Sequence, residues 1–120
     1  MNREIKFMAW DTIDEKMRNV EFIDFKDQLV KLFNDYTKES YFRRFEEIKL
    51  LQYTGLKDKN SVDIYEGDLL EDKEKLLWEV ELQDETFIMT NAFIPGSQYI
   101  YKGLLKAGNI YENSGLLKEV

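Results

Sequence analysis

The 120-residue sequence contains no cysteine and no histidine. Without cysteine there is no disulfide, no thiolate nucleophile and no Cys-type zinc or iron–sulfur site. Without histidine the chain lacks the usual general base of neutral pH and the usual zinc ligand. Any metal would have to be a hard cation held by oxygen ligands, so most hydrolase templates are excluded. Proline occurs once, at Pro95, and no stretch approaches the ~18 apolar residues of a membrane span. Positive charge is also scarce: 17 Lys and Arg face 24 Asp and Glu, a net charge of −7. Duplex-DNA readers carry a basic stripe that neutralises phosphates, whereas Arg43-Arg44 is the only adjacent basic pair here. The residues Met1 to Lys6 lack the apolar run of a signal peptide, and the expected location is the cytoplasm.

What is present suits a folded β protein. At this length a single domain over 1–120 is expected, burying about two-thirds of the surface its unfolded chain exposes. Apolar residues make up 43% and aromatics 14%, enough to fill a core. Eight Phe, seven Tyr and two Trp favour pleated surfaces over helical bundles.

Alternation places strands at Arg3–Trp10 and Met17–Phe25, with Asp11 to Lys16 reversing the chain between them. From Asp24 to Ser40 the period changes. Phe25, Leu29, Leu32, Phe33 and Tyr36 fall at helical spacing with Asp24 as an N-cap, which predicts an amphipathic helix over about 25–38. The stretch Tyr41 to Phe45 mixes aromatics with arginines; base stacking is one reading. Core burial of Phe42 and Phe45 with solvated Arg43 and Arg44 is the simpler one. Strands follow at Ile48–Tyr53 and Val62–Tyr65, with Thr54-Gly55 breaking the first and Lys57–Ser61 turning. Gly67 points to a bulge or a close backbone approach, and Asp68 beside it can accept a neighbouring backbone N–H. Leu76–Leu82 alternates, with Leu76, Trp78, Val80 and Leu82 inward, and Thr86–Thr90 pairs back on it. Pro95-Gly96 reads as a loop, Gln98–Lys106 as a strand, and Asn113 as the cap of a short C-terminal helical turn at 114–118. Strands turning about every ten residues imply a mainly β fold, a small distorted β-barrel or strongly curved antiparallel sheet.

The most turn-rich segment, Leu50–Leu70, also carries a resemblance. Leu51-Gln52-Tyr53-Thr54-Gly55-Leu56-Lys57-Asp58-Lys59-Asn60 followed by Ile64-Tyr65-Glu66-Gly67-Asp68 resembles the signature of the YopX family of small phage and prophage proteins. Arg3–Phe7 with Ala9-Trp10-Asp11, and Gly108–Asn113 with Leu116-Leu117, agree with it in the same order. Departures are Met8 in place of an Arg, Ser61 in place of a turn Gly, and Ser114-Gly115 in place of Pro-Glu. A left-handed backbone at Ser61 would cost about 1 kcal/mol more than with glycine. The resemblance implies a mostly β fold, a mobile-element origin and action in the cytoplasm of a bacterial host. It implies no activity and supplies no functional residues.

Three functions compete. A non-enzymatic binding or accessory protein acting on a host or phage protein fits the missing His and Cys and the acidic charge, supplied by Glu66, Asp68, Asp72, Glu79, Glu81, Asp84 and Glu85. A nucleic-acid-binding barrel would stack bases on Tyr53, Tyr65, Tyr99, Tyr101 and Tyr111, against the net charge. A metal-dependent enzyme would need Glu66, Asp68 and Glu112 to converge on Mg²⁺ or Ca²⁺, yet a turn or bulge already accounts for Gly67-Asp68. The first is the expectation: no catalytic residues, no cofactor, no metal, no membrane, with homo-oligomerisation through an edge strand open.

Overall fold

The computed structural model describes residues 4–113, which form eleven strands and one 3₁₀ turn. In chain order these are β1 (Phe7–Asp11), β2 (Lys16–Asp24), β3 (Leu29–Asn34), β4 (Glu39–Arg44), the 3₁₀ turn Phe45–Glu47, β5 (Ile48–Lys57), β6 (Asp63–Tyr65), β7 (Asp68–Glu71), β8 (Leu77–Gln83), β9 (Thr86–Asn91), β10 (Ile94–Tyr99) and β11 (Leu105–Asn109). The fold is mainly β, as expected. It consists of two open antiparallel sheets, of order β4-β3-β2-β1-β5-β6 and β10-β9-β8-β7-β11, and neither closes into a barrel. The chain divides into two compact units, Ile5–Gln52 and a second made of the chain from Tyr53 onward together with Glu4.

In the first unit, one turn chemistry recurs at three successive hairpins. Asp11 Oδ1 accepts the N–H groups of Ile13 and Asp14, Asp24 Oδ1 those of Lys26 and Asp27, and Asn34 Oδ1 those of Tyr36 and Thr37. Four residues after each Asx, Glu15, Gln28 and Lys38 adopt left-handed φ of 54°, 55° and 65°. Such a residue lets the chain leave the turn in register with the strand it came from.

This chemistry corrects the helix expected over 25–38. Asp24 is a turn residue instead of an N-cap, and a left-handed Gln28 cannot sit inside a right-handed helix. The apolar pairs Leu29-Val30 and Leu32-Phe33 satisfy helical spacing and alternation equally. Pairing decides: Val30 and Leu32 of β3 turn inward, fully buried with Ala9 and Ile48. Burial of that kind stabilises by about 1.5–3 kcal/mol per large aliphatic side chain. The expected helical turn at 114–118 lies outside the described residues.

β4 also has the opposite phase from that expected of its sequence. Tyr41 packs against the core and Arg43 is half-buried, while Phe42 stands 53% exposed. In a strand one residue of phase exchanges every inward and outward side chain. Phe45 does pack on the core, and Arg44 is exposed as expected.

In the second unit β5 runs on past Tyr53. It does not end at Thr54-Gly55; a bulge between Tyr53 and Lys57 absorbs Gly55 at φ 86°, and Thr54 Oγ1 donates to the Ile64 carbonyl at 2.7 Å. Gly67 lies in the two-residue turn between β6 and β7 at φ 87°, a conformation glycine adopts at no steric cost, and its N–H meets the Val80 carbonyl at 2.8 Å. Ile64, Leu70, Trp78, Val80, Met89 and Leu104 form the core. Leu82, expected inward, is exposed near the end of β8. Pro95-Gly96 lies within a strand after all: β10 is a sheet edge with a register shift between Ile94 and Ser97, where a missing N–H costs no ladder bond. The expected strand Gln98–Lys106 is therefore two pieces, the end of β10 and the start of β11.

Candidate functional site

The segment Leu50–Leu70 brings Asp58 and Asp68 to Lys106 of β11, while Lys57 pairs with Asp63. Asp58 Oδ1 accepts the N–H groups of Asn60 and Val62 across the β5–β6 turn, and its Oδ2 accepts the Lys106 N–H at 3.0 Å. Burial works to raise the Asp58 pKa, but these backbone donors and the Lys106 charge outweigh it and hold the carboxyl below its ordinary range. Ser61 in this turn has φ 64°, the left-handed geometry that its place in the turn demands.

Asp68 is only 4% exposed. Its Oδ2 accepts the Tyr65 N–H at 2.7 Å and lies 3.0 Å from Lys106 Nζ. Burial dominates and pushes the pKa up to about 6, against the opposing pull of Lys106 and the Tyr65 amide. The Lys106 ammonium also sits 5.7 Å from the centre of the Tyr65 ring, which packs against Tyr53 with ring centres 5.4 Å apart. Asp58 and Asp68 thus clamp β11 to the β5–β7 segment from its backbone and its side chain.

A second ionic cluster lies in the first unit. Asp11 is fully buried; beyond its own turn it accepts the Tyr41 hydroxyl at 2.7 Å and Arg43 Nε at 3.2 Å. Arg43 reaches on to Asp14 at 3.3 Å and stacks over the Tyr41 ring at 4.7 Å, and Arg18 Nε donates to the Tyr41 hydroxyl at 3.0 Å. Burial alone would raise the Asp11 pKa; the donors from Tyr41, the Asp14 and Ile13 amides and Arg43 together lower it. The same burial, reinforced by the Asp11 carboxylate, raises that of Tyr41. Cross-strand placement made this cluster invisible to sequence reading, although the Asx residue four places before a left-handed position was a signal for Asp11.

The acidic residues expected to carry charge separate into two groups. Asp72 is a turn residue that accepts the Glu74 and Leu76 amides and the Trp78 indole N–H, and Asp68 is buried. Asp84 and Glu85 form the exposed β8–β9 turn, with left-handed φ of 47° and 67°. Glu79 and Glu81 share one face of β8, cross-strand from Leu69, Thr90 and Ile88. Burial, then the charge of Glu81, raise the Glu79 pKa. Burial, then the charges of Glu66 and Glu79, raise that of Tyr111. Glu66 and Glu79 thus both act on Tyr111, and Glu81 acts on Glu79.

Glu66, Asp68 and Glu112 do not form a cation site. Among the described residues no three Asp or Glu side chains are placed to hold a metal ion together. Glu112 accepts the Asn109 side-chain amide at 2.8 Å, while Asp68 faces Lys106. Of the five tyrosines considered for stacking, Tyr99 and Tyr101 are exposed, Tyr65 and Tyr111 half-buried, and Tyr53 buried. Among the described residues no helix is long and apolar enough to cross a membrane.

Comparison with known proteins adds two findings. A family model described as YopX protein matches residues 6–118. Protein EF1440 from Enterococcus faecalis, a solved structure, is similar at 28% identity with a TM-score of 0.66, over 97% of this chain and 99% of that chain. A search of curated proteins finds no match. The family model takes in the whole of Leu50–Leu70, whose Asp58, Gly67 and Asp68 hold the turns together, and extends over nearly all of the chain: it belongs to the YopX protein family.

Proposed function

We propose that this chain is a non-enzymatic binding or accessory protein, encoded by a phage or prophage, that engages a basic surface of a host or phage protein in the bacterial cytoplasm. The observation that supports it is the pair Glu79 and Glu81 on one face of β8, where burial, then the charge of Glu81, raises the Glu79 pKa. A cationic partner relieves that repulsion, and charge complementarity of this kind contributes to specificity and association rate. The charge distribution agrees: residues 5–52 carry ten acidic and nine basic side chains, so nearly all of the −7 lies elsewhere in the chain. The buried carboxylates of Asp11, Asp58 and Asp68 are engaged in holding turns and strands.

The test is capture from bacterial lysate, with and without nuclease treatment, using wild-type protein and a Glu79→Gln/Glu81→Gln variant. The expected result is a protein retained by the wild type, lost from the variant, and released near 1 M salt, where the screening length falls to about 3 Å. Equal capture by both baits refutes the assignment to this face. Capture that disappears with nuclease makes the partner a nucleic acid instead.

A further inference from the structure

Three of the four sheet-edge strands carry features that discourage pairing with another chain. β10 has Pro95 and a register shift, β11 has a register shift between Lys106 and Gly108, and β6 is only three residues long. Bulges, proline and short length are among the means of blunting an edge, as are charged side chains. β4 has no bulge or proline and is six residues long; of its charges, the half-buried Arg43 is engaged by Asp11 and Asp14 of its own chain, which leaves Glu39 and Arg44 on the exposed side. Its six residues pair with β3 in unbroken register from Glu39 to Arg44, and it contains no proline.

We propose that β4 is a self-association edge, at which two copies of this chain join antiparallel strands about a two-fold axis at Phe42. The hydrogen-bond phase selects that register. Phe45 N–H donates to the Gln28 carbonyl, so by alternation Tyr41 and Arg43 direct their backbone groups toward β3, and Ser40, Phe42 and Arg44 direct theirs to the free edge. A partner strand must therefore place even-numbered residues opposite even-numbered ones. It must also keep outward side chains on the same face, which the same pairing does.

With Phe42 opposite the partner's Phe42, the two exchange backbone hydrogen bonds and pack their exposed rings side by side. Phe42 O receives at most a long contact from its own Arg43, at 3.5 Å, and carbonyl oxygens accept two bonds. The Ser40 N–H then reaches the carbonyl of the partner's Arg44. In the single chain the Arg44 N–H is held by Glu47 Oε1 at 2.8 Å, where the partner's Ser40 carbonyl sits after pairing, so the Glu47 side chain must give way on association.

Side-chain charge complements itself in this register. Ser40 is hydrogen-bonded to Glu21 on the outward face, so the partner's Arg44 arrives beside a carboxylate. In the single chain Arg44 is exposed, with Glu46 at 3.9 Å. The outward face also offers apolar area: Phe22 is 52% and Phe42 53% exposed, cross-strand on either side of Lys31. The Lys31 ammonium lies 6.0 Å from the Phe42 ring centre. Shifting the register by two residues in either direction separates the two Phe42 rings and moves Arg44 away from Ser40 and Glu21. The occupant that this edge fits is thus a second copy of the same chain.

Light scattering and sedimentation over a concentration series test it. The wild type is expected to reach twice its 14.4 kDa mass, and Phe42→Lys, which opposes two cations across the axis, to stay at the monomer mass. Arg44→Glu is expected to weaken association about tenfold, equivalent to about 1.4 kcal/mol, and Glu21→Lys in the same chain to restore it. Because the sequence has no cysteine, Phe42→Cys alone is expected to cross-link under mild oxidation, while Lys26→Cys is not. A wild type that stays monomeric at every concentration overturns the proposal. So does a dimer that survives Phe42→Lys, or an Arg44→Glu effect that Glu21→Lys fails to reverse while both variants retain the wild-type circular dichroism.

Discussion

Replacement of Asp68 by Asn should change the pH dependence of stability in a way that isolates this one carboxyl. The buried carboxyl has a pKa of about 6 in the folded protein, against 3.8 as a free side chain. Between those values the folded chain holds a proton that the unfolded chain has released, so stability rises as pH falls through this window. The full difference is about 3 kcal/mol, with about 1 kcal/mol of it gained between pH 7 and pH 5. Asp11, Asp58 and Asp72 act with the opposite sign, since their pKa values are lowered: their stabilisation is present above the unfolded value and is lost as pH falls below it. Those groups are common to both proteins. The wild-type-minus-variant difference in urea unfolding free energy therefore isolates Asp68. It should move by about 1 kcal/mol in favour of the wild type from pH 7 to pH 5, and an NMR titration of the Asp68 carboxyl carbon should show a midpoint near 6. Lys106→Met should push that midpoint higher by removing the cation that opposes burial. A difference that is flat with pH, or a carboxyl midpoint near 4, would refute the assignment of burial as the dominant influence on Asp68.

Three other perturbations follow from the geometry. Asp11→Ala should destabilise the protein by about 3–5 kcal/mol in chemical denaturation, because it leaves Arg43, the Tyr41 hydroxyl and two turn amides without their shared acceptor. Ser61→Gly should stabilise by about 0.5 kcal/mol: relief of left-handed strain at φ 64° exceeds the entropy that glycine adds to the unfolded chain, and a fall in melting temperature would contradict this. Gly108→Ala should destabilise by about 1–3 kcal/mol, since φ is 148° and the new Cβ would overlap the Asn113 side chain that caps Asn109 N–H at 3.2 Å; loss of amide protection at Asn109 is the local readout.

Much of the second unit was legible because its signals are local. Trp78 and Val80 alternate with Glu79 and Glu81 in sequence and in the structure. Asp68 accepts a backbone N–H three residues away, and Gly67 needs a left-handed backbone, both within a few residues of the pattern that announces them. The first unit was harder to read. Between Asp24 and Ser40 the apolar positions satisfy two periods, and only the left-handed Gln28 and Lys38 separate a hairpin from a helix. Repetition of the Asx turn at Asp11, Asp24 and Asn34 carried that information in the sequence, but no single copy sufficed.

The residues by themselves determined the β class, the absence of thiol and imidazole chemistry, and the turn-rich fingerprint that places the chain in its family. Those depend on composition and on neighbours along the chain. Tertiary structure alone decided which face of β4 is buried, that Lys106 closes on Asp58 and Asp68, and that Arg43 and Tyr41 converge on Asp11. Each of these joins residues some 30 to 50 positions apart. Pairing register, which a single residue of slip would invert, is set by contacts across the sheet and is not written in any one strand.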